Sequence, residues 1–321
     1  MKRALTLIAA AAAALGPLAP RHASAYGKAD RGTSGAAFLK LPPGARPSAL
    51  GEAYSAVADD VYAVYYNPAG LARLGRSELA GMHNKHFQDT SHNFGAVAVP
   101  LLSWVDTRRP RYEFGVLALS LTSLSVDGIE RRGLVESDEP EGTFGARDFV
   151  YTLGYGYAVG DRLSIGAAGK YISQTLDSSR ASAFAVDGGT QYRAGRLRAA
   201  AGWRNGGSAV KFHSRGNPLP FEVYFAGGYA WSERWLGVVE ATLPRDDSPG
   251  FAAGVEYRRA IMEDLDGGLR LGYNSEHTAA DGLGGVTVGL GLSYGKTAFD
   301  FAWVPYGELG STFRYSVRVR F

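Results

Sequence analysis

The ionisable residues of this chain recur at strand spacing and do not gather into catalytic sets. Arg314, Arg318 and Arg320 share one face of an alternating run with Thr312 and Ser316, while Phe313, Tyr315, Val317, Val319 and Phe321 take the other. Three guanidiniums on one side of a strand cannot rest unpaired in a dry core, because buried charge without a partner is very costly. They fit a face that looks into a wet lumen, with the apolar face against lipid. Lys170, Asp187, Glu240, Glu256, Arg258, Arg270 and Asp300 fall on or near the polar faces of their own runs. Mixed signs point to a lumen laced by ion pairs, not to a filter for one ion sign. Asp59 and Asp60, enclosed in such a lumen, would pair with an arginine such as Arg314 or Arg318.

Enzyme chemistry finds little to stand on. Adjacent carboxylates such as Asp59 and Asp60 do not face each other across a bond, as a glycosidase pair must. His83 and His86, three apart, would point to opposite faces of a strand and make a poor metal pair. No Gly-x-Ser-x-Gly elbow occurs, and the Gly-rich run from Gly284 to Gly295 has no helix after it to hold a dinucleotide. The reading is therefore of a protein that is not an enzyme, with no catalytic residues, no metal site and no cofactor. The absence of cysteine excludes a lipid-modified N-terminus, disulfides and thiolate ligands.

The elements that must position these charges are strands. From about Ser77 onward the hydrophobic period is two, in fourteen candidate strands centred near Gly81, Ala96, Gly115, Leu153, Ala167, Val186, Ala200, Phe225, Val238, Gly254, Leu271, Leu290, Phe301 and Val317. Phe149, Tyr151, Leu153, Tyr155 and Tyr157 oppose Val150, Thr152, Gly154, Gly156 and Ala158, a segment long enough for a tilted membrane strand. A soluble β-sandwich also alternates. The barrel is preferred because the apolar face is aromatic on strand after strand. Tyr155, Tyr157, Trp231, Trp235, Trp303 and Tyr306 moreover cluster at strand ends, where interfacial girdles belong. Nothing after the N-terminus approaches the roughly 18 to 20 continuous apolar residues of a spanning helix. A closed sheet is then the remaining way across a membrane. The fold class is all-β: a transmembrane antiparallel β-barrel of about fourteen strands with a short, partly helical N-terminal plug.

Residues 1–25 read as a cleaved signal peptide: Lys2 and Arg3, an apolar run from Ala4 to Ala19, then Ala23-Ser24-Ala25. Residues 26–75 form an N-terminal lead and lumenal plug, with a helical pattern from Ser48, its N-cap, to Ala58. Residues 76–321 form the barrel. Long polar stretches run from about Thr122 to Arg147, carrying Glu130, Glu136, Asp138, Glu139 and Glu141, and from Gly206 to Pro220. Long loops on one side and short turns on the other suit a barrel, and the abundant glycine, 43 residues, gives room for bulges and lateral openings. The net charge of +3 without a basic run gives no support for nucleic-acid binding.

The sequence from Ser48 to Leu71 contains Ala58-Asp59-Asp60 and then Tyr65-Tyr66-Asn67-Pro68-Ala69-Gly70-Leu71. This resembles the N-terminal signature of the PorV/PorQ family, relatives of the long-chain fatty-acid transporter (FadL-like) barrels. The stretch from Gly289 to Phe321 resembles the same family, as do Gly166-Ala167-Ala168-Gly169-Lys170-Tyr171 and Asp187-Gly188-Gly189. Glu52 stands where that pattern has a small residue. The resemblance implies a fourteen-stranded barrel of the Gram-negative cell outer membrane, with Asp59, Asp60, Asn67, Pro68, Ala69 and Gly70 as the plug motif. It implies that Phe321 is the assembly signal. The Asn-Pro-Ala-Gly corner reads either as hinge or seal of the plug or as a rigid turn alone. Three functions stay open: a plugged conduit or binder for hydrophobic small molecules; a type IX-like secretion component that holds secretion-machinery or cargo protein through its loops; or a purely structural barrel. Outer-membrane lipid is a partner in all three.

Overall fold

The computed structural model describes residues 31–87, 89–101, 114–133, 138–212, 215–277, 284–307 and 310–321. The expected signal peptide lies outside the described residues. The first wall strands are β1 (Glu78–Lys85), β2 (Ser91–Pro100), β3 (Val116–Arg131), β4 (Gly142–Ala158), β5 (Leu163–Leu176), β6 (Ser179–Ala194) and β7 (Leu197–Gly207). A small hairpin, β8 (Val210–Phe212) with β9 (Arg215–Asn217), follows outside the wall. The wall resumes with β10 (Glu222–Ala230), β11 (Trp235–Pro244), β12 (Gly250–Met262), β13 (Leu265–Asn274), β14 (Val286–Tyr294), β15 (Thr297–Pro305) and β16 (Ser311–Arg320). These fourteen wall strands pair antiparallel with both neighbours, and β1 closes on β16 in the register Glu78↔Arg320 to Lys85↔Phe313.

Closure leaves the sheet without an edge, and alternation then assigns every side chain to one of two solvents. On β16, Phe313, Tyr315 and Val317 are about 44–45% exposed, whereas Arg314 is fully buried. The outer belt continues through Leu119, Leu153, Phe184, Phe225, Leu271 and Leu290, all exposed. The inner face is built from small residues, among them Ala98, Ala118, Ala168, Ala183, Ala252 and Ala302. Small inward side chains widen a lumen that a chain segment can then fill.

The connections sort onto two rims. One, here the turn rim, carries the link 101–115, the short links 159–162, 195–196, 231–234, 263–264 and 295–296, and also Phe321. The opposite loop rim carries 132–141, 208–221 and 275–285. Much of the stretch from Thr122 to Arg147, expected to be loop, is wall. β3 runs on to Arg131 and β4 begins at Gly142. There the outward positions turn polar (Ser123, Ser125, Arg147) while Leu124, Val126 and Phe144 take the other face, so no apolar outer face marks the strands and a sequence reading takes them for loop. Gly115, expected at the centre of β3, instead precedes it with φ +72°. Bulges fall in β3 between Val126 and Ile129 and in β6 between Val186 and Gly188, but the pairing runs unbroken round the barrel, so the glycines bend the wall without opening it.

Residues 35–74 thread the lumen from loop rim to turn rim. The Gly35 N–H donates to Pro218 O near the loop rim, and Arg73 donates to Asp161 O and Arg162 O at the turn rim. The helix expected from Ser48 to Ala58 does not form. A short helix, Ala45–Ser48, ends at Ser48, because Gly51 (φ +66°) and Glu52 (φ +72°) both take left-handed backbone that breaks a helix. Short helical turns at Ala63–Tyr66 and Pro68–Arg73 follow. Leu50, Tyr54, Val57, Val61, Val64 and Leu71 are buried between plug and wall. Each large side chain so buried contributes about 1.5–3 kcal/mol. Tyr306, expected in an outer girdle, packs instead against His86 and His277 at the loop rim, with ring centroids 5.3 and 4.8 Å away. It lies in the β15–β16 connection, beyond the phase of either strand.

Candidate functional site

The site is the seam between plug and wall. Its lowest corner is Asn67-Pro68-Ala69-Gly70. Asn67 is extended and caps the following turn: its side-chain oxygen accepts from Ala69 N at 3.2 Å. Its amide nitrogen donates to Ser55 O in the plug and to Thr190 O in β6, each at 3.1 Å. Pro68 sits at the first position of the turn, where a missing N–H costs nothing. The backbone of Pro68 and Ala69 presses so closely on Gly166 of β5 that a β-carbon there would fall inside van der Waals contact. Gly70 is pressed the same way against Ala58 O.

Above this corner, wall carboxylates hold plug N–H groups. Glu240 accepts from Tyr54 N at 3.1 Å, Ser55 N at 3.0 Å and Ser55 Oγ at 2.8 Å. Glu78 accepts from Val61 N at 2.9 Å. Wall guanidiniums in turn hold plug oxygens. Arg204 donates to Tyr66 O and Ser55 Oγ while pairing with Glu240 and Glu222. Arg314 donates to Pro42 O, Ser48 Oγ, Glu52 and Tyr306.

Asp60 pairs with Arg318 at 2.9 Å and with Arg46 at 3.4 Å. The partners of Asp59 are neither Arg314 nor Arg318. They are Arg46 at 3.3 Å, Arg193 at 3.6 Å and Arg198 at 3.8 Å, because the chain has turned towards β6 and β7 at that residue. Burial pushes the Asp59 carboxyl up, but these guanidiniums outweigh it and hold it at about 2. Among the remaining expected charges, Lys170 pairs with Asp187 at 2.7 Å, and Arg270 bridges Glu256 and Asp300 at 2.7 Å each. Arg258 pairs with Glu256, and Arg320 with Glu78. The lumen at this level is filled with protein; Arg314 is buried among plug atoms where open water was expected.

Sequence reasoning missed Arg46, Arg204, Arg193 and Arg198, and singled out Glu52 without giving it a contact. Arg46 donates to Glu256, Tyr54 and Asp60, yet nothing in the Gly44-Ala45-Arg46-Pro47 stretch signals an anchor. Arg198 and Arg204 could have been found, since both lie on the inward phase of β7 with Ala200 and Gly202. Glu52 holds a left-handed position that suits a small residue, and it accepts there from Asn274 at 2.9 Å and Arg314 at 3.2 Å.

Residues 9–172, just over half of the chain, match the model of the uncharacterised protein family UPF0164. The chain belongs to UPF0164. The match ends inside β5, so it covers the whole plug and the wall strands that carry Gly154, Gly156 and Gly166. No curated protein matches this UPF0164 chain. Among solved structures it is similar to the toluene transporter TbuX of Ralstonia pickettii: 13% identity over 88% of this chain and 100% of that one, TM-score 0.54. The toluene transporter TodX of P. putida gives 12% identity, 87% and 98% coverage, and TM-score 0.57. A FadL homologue of Pseudomonas aeruginosa gives 11%, 84% and 96%, with TM-score 0.50. At such identities the likeness is one of fold. Among the described residues of this UPF0164 member, no three His, Asp or Glu side chains are grouped to hold a metal ion.

Proposed function

We propose that this UPF0164 chain lies in the outer membrane, loop rim outside and turn rim in the periplasm, and admits hydrophobic small molecules past its plug. The observation that carries this reading is a continuous apolar belt closed round a polar, plug-filled lumen. In water that belt would far exceed the apolar patch of a soluble monomer. In lipid it is the solvated surface. Five of the six turn-rim links have four residues or fewer, the exception being 101–115, whereas three loop-rim links have ten or more; that bias supports the orientation, and export by a signal at residues 1–25 belongs to the same proposal. The similar structures are named for toluene transport, and a small apolar cargo is proposed here. PorV/PorQ membership and a secretion role rest on the quoted motifs alone.

The entry point in this reading is a recess between the 3-10 turn Ala37–Lys40 and the wall. Phe38, Leu39, Leu41, Phe94 and Val150 line it, with Lys170 at its polar end. It holds about 10 Å³, the space of one water. A hydrocarbon therefore enters only when the turn moves, and that turn is tied at the loop rim by Lys40–Asp246 at 2.7 Å and Arg31–Asp247 at 2.8 Å. The test is toluene uptake by cells with a lipopolysaccharide outer leaflet that produce the chain. Leu39→Trp, which fills the recess, should slow uptake; Asp246→Ala with Asp247→Ala should speed it. Uptake equal in both variants, and equal to that of cells lacking the chain, would end the reading.

A further inference from the structure

Arg193 and Arg198 are directly opposed in the β6–β7 register, one step from the two-residue turn Gly195-Arg196 at the turn rim. Both side chains turn inward to Asp59. Like charges facing each other across a strand pair are destabilising, so the pair calls for anions. The structure supplies one carboxylate, Asp59, at 3.6 and 3.8 Å from the two guanidiniums, and Arg46 claims it more closely at 3.3 Å. Arg193 also feels the like charge of Arg73, which reaches the same rim from the end of the plug. Arg258, another inward guanidinium near Asp59, is matched by Glu256 at 2.6 Å, although Glu256 is shared with Arg46 and Arg270. Asp161, on the next turn, lies near Arg73.

Donors are in excess as well as charge. Among the described residues, Nε of Arg193 and Nε of Arg73 are buried without a hydrogen-bond partner, while Nη2 of Arg193 faces Asp59 at 3.6 Å, beyond hydrogen-bond length. Arg73 is otherwise fixed, its Nη1 and Nη2 donating to Asp161 O and Arg162 O at 3.1 and 3.0 Å. A guanidinium whose N–H groups are positioned but unused is built for an oxyanion.

We propose that Arg73, Arg193 and Arg198 form a phosphate-binding site at the turn-rim mouth of the lumen. Three guanidiniums against Asp59, itself shared with Arg46, and Asp161 near Arg73 leave about one positive charge uncompensated, and a phosphate brings more acceptor oxygens to it than a carboxylate does. Its several acceptor oxygens can take the idle Nε–H of Arg193, displace Asp59 from Nη2 and accept a fork from Arg198 together. The bound group competes with Asp59 for the same cations, so occupancy is coupled to the plug. A phosphate esterified in a lipid headgroup and one free in solution present the same chemistry to the guanidiniums.

The test uses the folded full chain in zwitterionic detergent, titrated calorimetrically at matched ionic strength with inorganic phosphate, with dioctanoyl phosphatidate and with acetate. Folding of each variant is checked by heat-modifiable electrophoretic mobility. Phosphate should bind the parent, and Arg193→Gln with Arg198→Gln should weaken it by about tenfold or more. Arg198→Lys keeps the charge but not the fork and should lose less affinity than the double variant while falling short of the parent. Asp59→Asn removes the competitor and should tighten binding by about tenfold. Phosphatidate binding far above inorganic phosphate assigns the site to lipid; the reverse assigns it to a soluble anion. Failure of both to bind above the salt control overturns the inference. So does binding that the double variant leaves unchanged, or acetate binding as tightly as phosphate. None of these outcomes depends on hydrocarbon uptake.

Discussion

Glu240→Ala removes the carboxylate on which the centre of the plug hangs. Glu240 is 3% exposed and accepts from Tyr54 N, Ser55 N and Ser55 Oγ while pairing with Arg204 at 2.9 Å. The variant strands two backbone N–H groups and leaves a buried guanidinium with less compensation. Arg204 keeps Glu222 at 2.6 Å and Tyr66 O, so its loss is partial. Breaking a buried pair from one side costs about 3–5 kcal/mol, and stranded N–H donors add about 1–3 kcal/mol each before relaxation. Water entering the gap offsets part of this, so we take about 4 kcal/mol, close to a thousandfold in the opening equilibrium of the plug. The chain has no cysteine, so a single reporter at Ala56, 2% exposed, can be labelled without background. Maleimide labelling of Ala56→Cys in detergent should rise by about two to three orders of magnitude on adding Glu240→Ala, with the barrel still heat-modifiable. A rise of less than about threefold would refute the argument that this carboxylate holds the plug in place.

Other perturbations probe the same architecture. Gly272→Val should dislodge the plug without opening the barrel, because a β-carbon at 272 would run into the Leu50–Gly51 backbone; the same reporter should then label freely. Leu271→Arg, on the lipid face, should cost about 2–4 kcal/mol in folding into bilayers, read from urea titrations. Asp59→Asn should destabilise the plug in a pH-dependent way. The folded pKa near 2 lies below the unfolded value near 3.9, so the contribution is full above about pH 4 and is lost as pH falls towards 2. Opening rates of variant and parent should thus differ at neutral pH and converge in strong acid.

The wall was legible because a two-residue period states the face of every side chain, and the large apolar residues of Phe225, Leu271 and Phe313 could face only lipid once the sheet closed. Arg314, Arg318, Glu240 and Glu256 could be placed inward by the same rule, before any partner was known. Of their partners, the sequence named Asp60 for Arg318, and the others were not legible. Which cation meets Asp59 depends on how residues 41–62 thread the lumen, and the two left-handed residues Gly51 and Glu52 that set that path leave no periodic trace. The ends of β3 and β4 were lost for the opposite reason. Where these strands rise beyond the apolar band the outer face becomes polar (Ser123, Ser125, Arg147), and the large outward residues that mark a wall strand elsewhere are missing.

The ion pairs of the seam do more to specify the plug than to glue it. Buried pairs of this kind are often no more stabilising than apolar residues of the same shape, and the apolar contacts of Leu50, Tyr54 and Val57 already supply cohesion. Each pair instead permits one register of plug against wall: Asp60 at Arg318, Arg46 at Glu256, Glu52 at Arg314. This constrains the proposed passage of apolar cargo. Expelling the whole plug would line the lumen with Arg204, Glu240, Glu256, Arg314 and Arg318, a path that suits ions and repels hydrocarbon. Entry of a hydrophobe therefore belongs to the Ala37–Lys40 turn, and its onward passage to a shift of the plug that keeps the deep charges paired. Glu240→Ala should accordingly raise ion conductance in planar bilayers without raising toluene uptake, and a variant that raised uptake but not conductance would place the gate in the deep plug instead.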